Sequence, residues 1–88
     1  MVERFAVKIT VLYFGIVRER LGLGEEILEL NEGCTVDELL AELSARDENI
    51  AAGAGSVRVA VNREYVDGSA ILHDLDEAAV IPPVSGGL

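Results

Sequence analysis

Cysteine is nearly missing from this chain. Cys34 stands alone among 88 residues, so no internal disulfide can form. Histidine is equally scarce, with only His73, and one histidine and one cysteine cannot build a metal cluster, so no metal site is expected. Lysine occurs once, at Lys8. Positive charge is short in general: seven basic residues stand against sixteen acidic ones, for a formal net charge of −9. Nucleic-acid phosphates require a basic face, so this balance argues against that partner class; it is compatible with a basic protein partner or simply with solubility. No apolar run approaches membrane-spanning length, and Lys8 interrupts the longest early one. The start lacks the basic residues, apolar stretch and small-residue cleavage site of a signal peptide, so a cytoplasmic protein is expected. There are no internal repeats, and the length suits one domain with a limited core.

What is present is periodicity. Residues 5–14 alternate, placing Phe5, Val7, Ile9, Val11 and Tyr13 on one face and Lys8 and Thr10 on the other. Leu12 and Phe14 make the second face apolar near its end, which is unusual for a solvated surface. Residues 16–21 read as a short helix stopped by Gly22 and Gly24, and residues 26–30 as a second strand containing Ile27, Leu28 and Leu30. Thr35 and Glu38 have capping-box spacing. The helix they open carries Val36, Leu39, Leu40 and Leu43 on one stripe, expected to pack on Val7, Ile9, Val11, Val57 and Val59. Residues 51–55 read as a loop or short irregular helix. Val57, Val59 and Val61 form a third strand, 64–66 a short return strand, Ile71 and Leu72 a cover for one edge of the core, and 78–81 the last strand. Strands flanking one long helix make this an α+β chain. The expected architecture is a ubiquitin-like β-grasp, a mixed sheet folded over one main helix, spanning residues 1–81.

Residues 82–88 read as a flexible C-terminal tail. Pro82 and Pro83 fix φ and push Ile81 toward extended backbone, so the arm should leave the body straight. Gly86 and Gly87 then remove every side chain, which is costly for order but suits a backbone threading a narrow channel. Extended, the arm from Ile81 to Gly87 could reach about 20 Å, at roughly 3.3 Å per residue. From Val84 onward it is expected to be mobile in the free protein.

Four stretches together resemble the small, sulfur-carrier subunit of molybdopterin synthase, the MoaD family: VLYFGIVRERLG at 11–22, VAVNREYV at 59–66, LDEAAV at 75–80 and IPPVSGG at 81–87. The last is the most specific, because Gly-Gly alone is shared with ubiquitin and the thiamin sulfur carrier. The resemblance implies a non-catalytic carrier. An ATP-dependent, E1-like partner adenylates the C-terminal glycine carboxylate, and sulfur from a donor system replaces AMP to give a thiocarboxylate. The tail then enters the large synthase subunit and donates sulfur to cyclic pyranopterin monophosphate. No bound cofactor is implied, since the partner uses the ATP. By the match Gly87 bears the sulfur, and Gly86, Ser85 and Val84 thread the channel. Phe14, Tyr65, Ile81, Pro82 and Pro83 would meet the partner. Phe14 also fits that surface by its own position, opposite the core face of its strand.

Leu88 departs from the family pattern, in which the second glycine is terminal. Gly87 cannot be adenylated while Leu88 follows it, so trimming by a peptidase, an inactive form, or a residue foreign to the natural end each remains open. Cys34 reads as a turn residue, His73 as a surface histidine, and Arg18 and Arg20 as solvated helix charges. A thiamin-type carrier is a sibling reading. A ubiquitin-like protein modifier is a second class, for which the lone Lys8, within a strand, disfavours chains built on the protein itself.

Overall fold

Among the described residues, alternation and helical periodicity resolve into seven elements. They are β1 (Ala6–Tyr13), α1 (Gly15–Leu21), β2 (Glu25–Asn31), α2 (Val36–Arg46), β3 (Arg58–Val61), β4 (Glu64–Val66) and β5 (Glu77–Ile81). They come from a computed structural model that describes residues 5–47 and 57–82. The strands form one sheet in the order β2-β1-β5-β3-β4. β1 pairs antiparallel with β2 and parallel with β5, and β3 lies antiparallel to both β4 and β5. This mixed sheet over one main helix is the β-grasp, and it places the last strand at the centre of the sheet rather than at an edge.

The core is one layer between the sheet and α2. Val7, Ile9, Val11 and Tyr13 of β1 are buried, together with Val36, Leu39 and Leu43 of α2, Val59, Leu72 and Val80. Leu40 and Val57, expected in the same contact, are only partly buried at its border. Two apolar residues, Phe5 and Ile71, depart from expectation. Phe5 was expected on the buried face but stands before β1 and is 60% exposed, fastened through its carbonyl, which accepts the Glu32 N–H. Ile27 falls on the solvent face of edge strand β2, because its neighbours Glu26 and Leu28 take the inward positions. Of the pair expected to cover the core edge, Leu72 is buried and Ile71 is exposed. The expected loop at 51–55 lies outside the described residues.

Local chemistry explains the ends. The Glu38 N–H donates to Thr35 Oγ1 at 3.2 Å while the Thr35 N–H donates to Glu38 Oε1 at 2.8 Å, the reciprocal capping box that starts α2. Gly22 closes α1 with φ 78 and donates its N–H to the Arg18 carbonyl. The β3–β4 hairpin turns through Asn62 and Arg63, both at positive φ, as a two-residue type I′ turn requires. Asn62 Nδ2 also donates to Asp76 Oδ1, and its Oδ1 accepts from the Glu77 N–H, tying the turn to the start of β5.

A polar triad joins three elements at the core boundary. Buried Tyr13 of β1 donates its hydroxyl to Glu26 Oε2 of β2, and the same oxygen accepts from Arg46 Nη1 of α2. Burial, reinforced by the Glu26 hydrogen bond and charge, pushes the Tyr13 phenol far above its ordinary range. Burial opposes ionisation of Glu26, but the hydrogen bonds from Arg46 and Tyr13 outweigh it and hold the carboxyl below its usual value. Among the described residues no helix is long and apolar enough to cross a membrane.

Candidate functional site

The face of the sheet turned away from α2 should be polar if it only met water. At one end it is not. Cross-strand register aligns Leu12 with Ala79, Ala79 with Ala60, and Ala60 with Tyr65, an apolar row across four strands. The two alanines keep the middle of this row low, and Tyr65 at its end is 57% exposed. One step nearer the tail, Ile81 of β5 stands opposite Arg58 of β3. Phe14, two residues beyond Leu12, leaves β1 in extended conformation as the cap of α1 and is 45% exposed.

The tail root sits within this surface. β5 ends at Ile81, and Ile81 and Pro82 are each half-buried. Pro82 rests against Gly15, where a side chain would collide with the ring. Thus three of the residues predicted to meet a partner, Phe14, Tyr65 and Ile81, occur at one end of one face, and a fourth, Pro82, follows directly at the tail root. The remaining predicted residues, Pro83, Val84, Ser85, Gly86 and Gly87, lie outside the described residues, as does Leu88, and with them the expected mobility of the tail.

The structure adds residues that sequence reasoning missed. Ala60 and Ala79 become part of the face only through the β3–β5 register, and Gly15 shows its role only through its φ of +56 and its contact with Pro82. Arg58 is the other addition: its guanidinium carbon lies 4.4 Å from the centre of the Tyr65 ring. Alternation in the sequence separated Arg58 from the core but gave no hint of this pairing.

Chemically the surface suits binding. Apart from the Tyr65 phenol and the Arg58 guanidinium, the side chains named at this end are apolar. The lone cysteine is elsewhere: Cys34 is buried before α2, and burial, followed by the charges of Glu38 and Glu42, pushes its thiol up, so it is a poor nucleophile. His73 is exposed beside Asp76. Arg20 pairs with Asp47 at 3.7 Å rather than standing free in solvent. Among the described residues no three histidine, cysteine, aspartate or glutamate side chains are grouped to hold a metal.

Fold and tail root together define a ubiquitin-like domain whose last described strand ends beside an exposed apolar face. The profile of the ThiS family matches residues 11–87. A curated relative, the molybdopterin synthase sulfur carrier subunit of Chlamydomonas reinhardtii, is 39% identical over 82 residues, covering 91% of this chain and 99% of its own. A solved structure, a putative molybdopterin converting factor subunit 1 from Pyrococcus furiosus, is 36% identical with a TM-score of 0.78, covering 89% of this chain and 99% of its own. A chain in the complex of subunits 1 and 2 of molybdopterin-converting factor from Helicobacter pylori shares the fold at 23% identity and a TM-score of 0.62, covering 92% of this chain and 100% of its own. The chain belongs to the ThiS/MoaD family of ubiquitin-like β-grasp domains.

Proposed function

We propose that this chain is the sulfur carrier of a molybdopterin synthase, with Gly87 as the residue that carries sulfur once Leu88 has been removed. The observation that carries the reading is the placement of the tail root. Central strand β5 delivers Ile81 and Pro82 to the edge of an exposed apolar face, so a partner covering Phe14 and Tyr65 would receive the Pro-Pro-Val-Ser-Gly-Gly segment directly. The carrier names of the relatives support the same reading.

In this function the Gly87 carboxylate attacks the α-phosphorus of ATP in an E1-like enzyme. Pyrophosphate leaves and an acyl adenylate forms. A sulfur nucleophile from a donor system then displaces AMP, giving the thiocarboxylate. The large synthase subunit receives the tail, and sulfur passes to cyclic pyranopterin monophosphate. The existence of a two-subunit complex for a protein of the same fold supports a large-subunit partner. The chain itself supplies docking, reach and an unhindered glycine terminus, and ATP is used by its partner.

The test compares the chain ending at Gly87 with the 88-residue chain, each incubated with the adenylating enzyme, ATP and a sulfur donor. Mass spectrometry should show oxygen-to-sulfur exchange only at a free Gly87. Leu88 moves the carboxylate up to about 3.5 Å, and misplacement of about 1 Å can cost on the order of 100-fold in rate. Equal conversion of the 88-residue chain with Leu88 retained would refute the role of Gly87. Recovery of Gly87 joined to lysines of other proteins, with no thiocarboxylate, would favour a modifier.

A further inference from the structure

Arg58 stands apart from the other described cations. Arg46 is held by Glu26, Arg20 by Asp47, and Arg18 packs beside Gly24. Lys8 lies on the outer face opposite Glu29, and Arg63 is in the hairpin turn. Arg58 instead stands opposite Ile81 with its guanidinium over Tyr65, and among the described residues no carboxylate pairs with it. Stacking on the ring restrains the guanidinium while its N–H edge stays available, the arrangement that suits bidentate capture of a carboxylate. Farther from the tail the outer face carries Glu77 opposite Thr10 and Glu29 opposite Lys8, while Glu25 borders the apolar row opposite Leu12.

Resting on the carrier reading above, we infer that Arg58 pairs with a carboxylate of the large synthase subunit at the centre of the docked apolar surface. Covering Phe14, Tyr65 and Ile81 also strips water from Arg58. A desolvated guanidinium without an acceptor opposes binding, whereas an aspartate or glutamate seated on its free edge satisfies it.

The experiment measures calorimetric binding of the native chain, Arg58→Leu and Arg58→Glu to the large synthase subunit of the same organism. Thermal unfolding of each variant confirms that the exposed substitution leaves the fold intact. Arg58→Glu should weaken binding by roughly 30-fold or more, with Arg58→Leu between it and the native chain. Changing one aspartate or glutamate on the partner's docking surface to lysine should restore binding to Arg58→Glu. Binding of Arg58→Glu within twofold of native overturns the inference while leaving the carrier reading intact, and so does a loss that no partner charge reversal restores. Failure of the native chain to bind overturns the reading and this inference together. Self-association of the native chain that Arg58→Glu abolishes also overturns the inference, because the guanidinium would then serve a second copy.

Discussion

A β-carbon placed on Gly15 would come within 2.9 Å of Pro82 Cγ, so the start of α1 and the root of the C-terminal tail occupy contiguous space with no room for a methyl group between them. Gly15 has φ +56 as well, a conformation that an L-residue with a side chain resists. One glycine therefore serves both the first turn of a short helix and the direction in which the chain leaves the sheet.

Gly15→Ala should destabilise the domain by roughly 1–3 kcal/mol, combining left-handed backbone strain with displacement of the proline ring. Urea unfolding checks the magnitude. Because the ring roots the tail, sulfur transfer within the synthase should fall more steeply than affinity for the large subunit. A variant with native stability and native transfer would show that the contact constrains nothing.

Leu75 presents the opposite situation. It adopts φ 72 yet is 78% exposed, so it bears left-handed strain with little burial in return. Leu75→Gly should raise stability by about 1 kcal/mol, the relief of strain exceeding the added freedom of the unfolded chain. The main-chain bond from the Leu75 N–H to the Lys8 carbonyl is available to either residue. A fall in the urea midpoint would contradict this.

In the helix, Leu39 and Leu40 separate a core position from its border. Leu39 is fully buried, and Leu39→Ala should cost about 2–5 kcal/mol. Leu40 packs against the core from a partly buried position, so its truncation to Ala should cost clearly less. Paired unfolding curves give the comparison, and an equal loss would place both side chains equally deep.

The Tyr13–Glu26–Arg46 triad predicts stability at both ends of the pH scale. Glu26 has a folded pKa below the ordinary 4.5, so its contribution is fully present above about pH 4.5 and is lost as pH falls through the lowered value. Tyr13 is shifted upward from 10.0, so its contribution is complete below about pH 10 and is lost as pH rises toward the folded value. In a Tyr65→Phe background, where Tyr13 is the sole tyrosine, phenolate absorbance should appear only well above pH 10 or together with unfolding. Free titration near pH 10 in the folded state would remove the triad from the account. Tyr13→Phe should cost about 1 kcal/mol at neutral pH and flatten the alkaline loss.

Much of the scaffold was legible in local pattern. Period-two alternation located β1 and its buried face, and the spacing of Thr35 and Glu38 located the start of α2. Both signals are set by neighbours a few residues apart, so no long-range information was needed. The same locality limited the reading of Phe5. Its apolar character is plain in sequence, but whether a strand end is covered depends on where the helix layer stops.

The proposed docking surface belongs half to each level. The sequence by itself determined that Phe14 faces away from the core, that Pro82 and Pro83 each restrict φ, and that residues 86 and 87 carry no side chains. Only tertiary structure decided that Phe14, Tyr65 and Ile81 gather at one end of a face, with Pro82 beside them at the tail root. That gathering requires β5, last in sequence, to insert between β1 and β3, and it depends on pairings such as Leu12 with Ala79 and Ala60 with Tyr65. The same register sets Arg58 across from Ile81 and over Tyr65. The physical reason is that a strand's alternation assigns each side chain to a face, whereas its neighbours on that face come from other strands, and register between strands distant in sequence is settled only when the whole sheet closes over its helix.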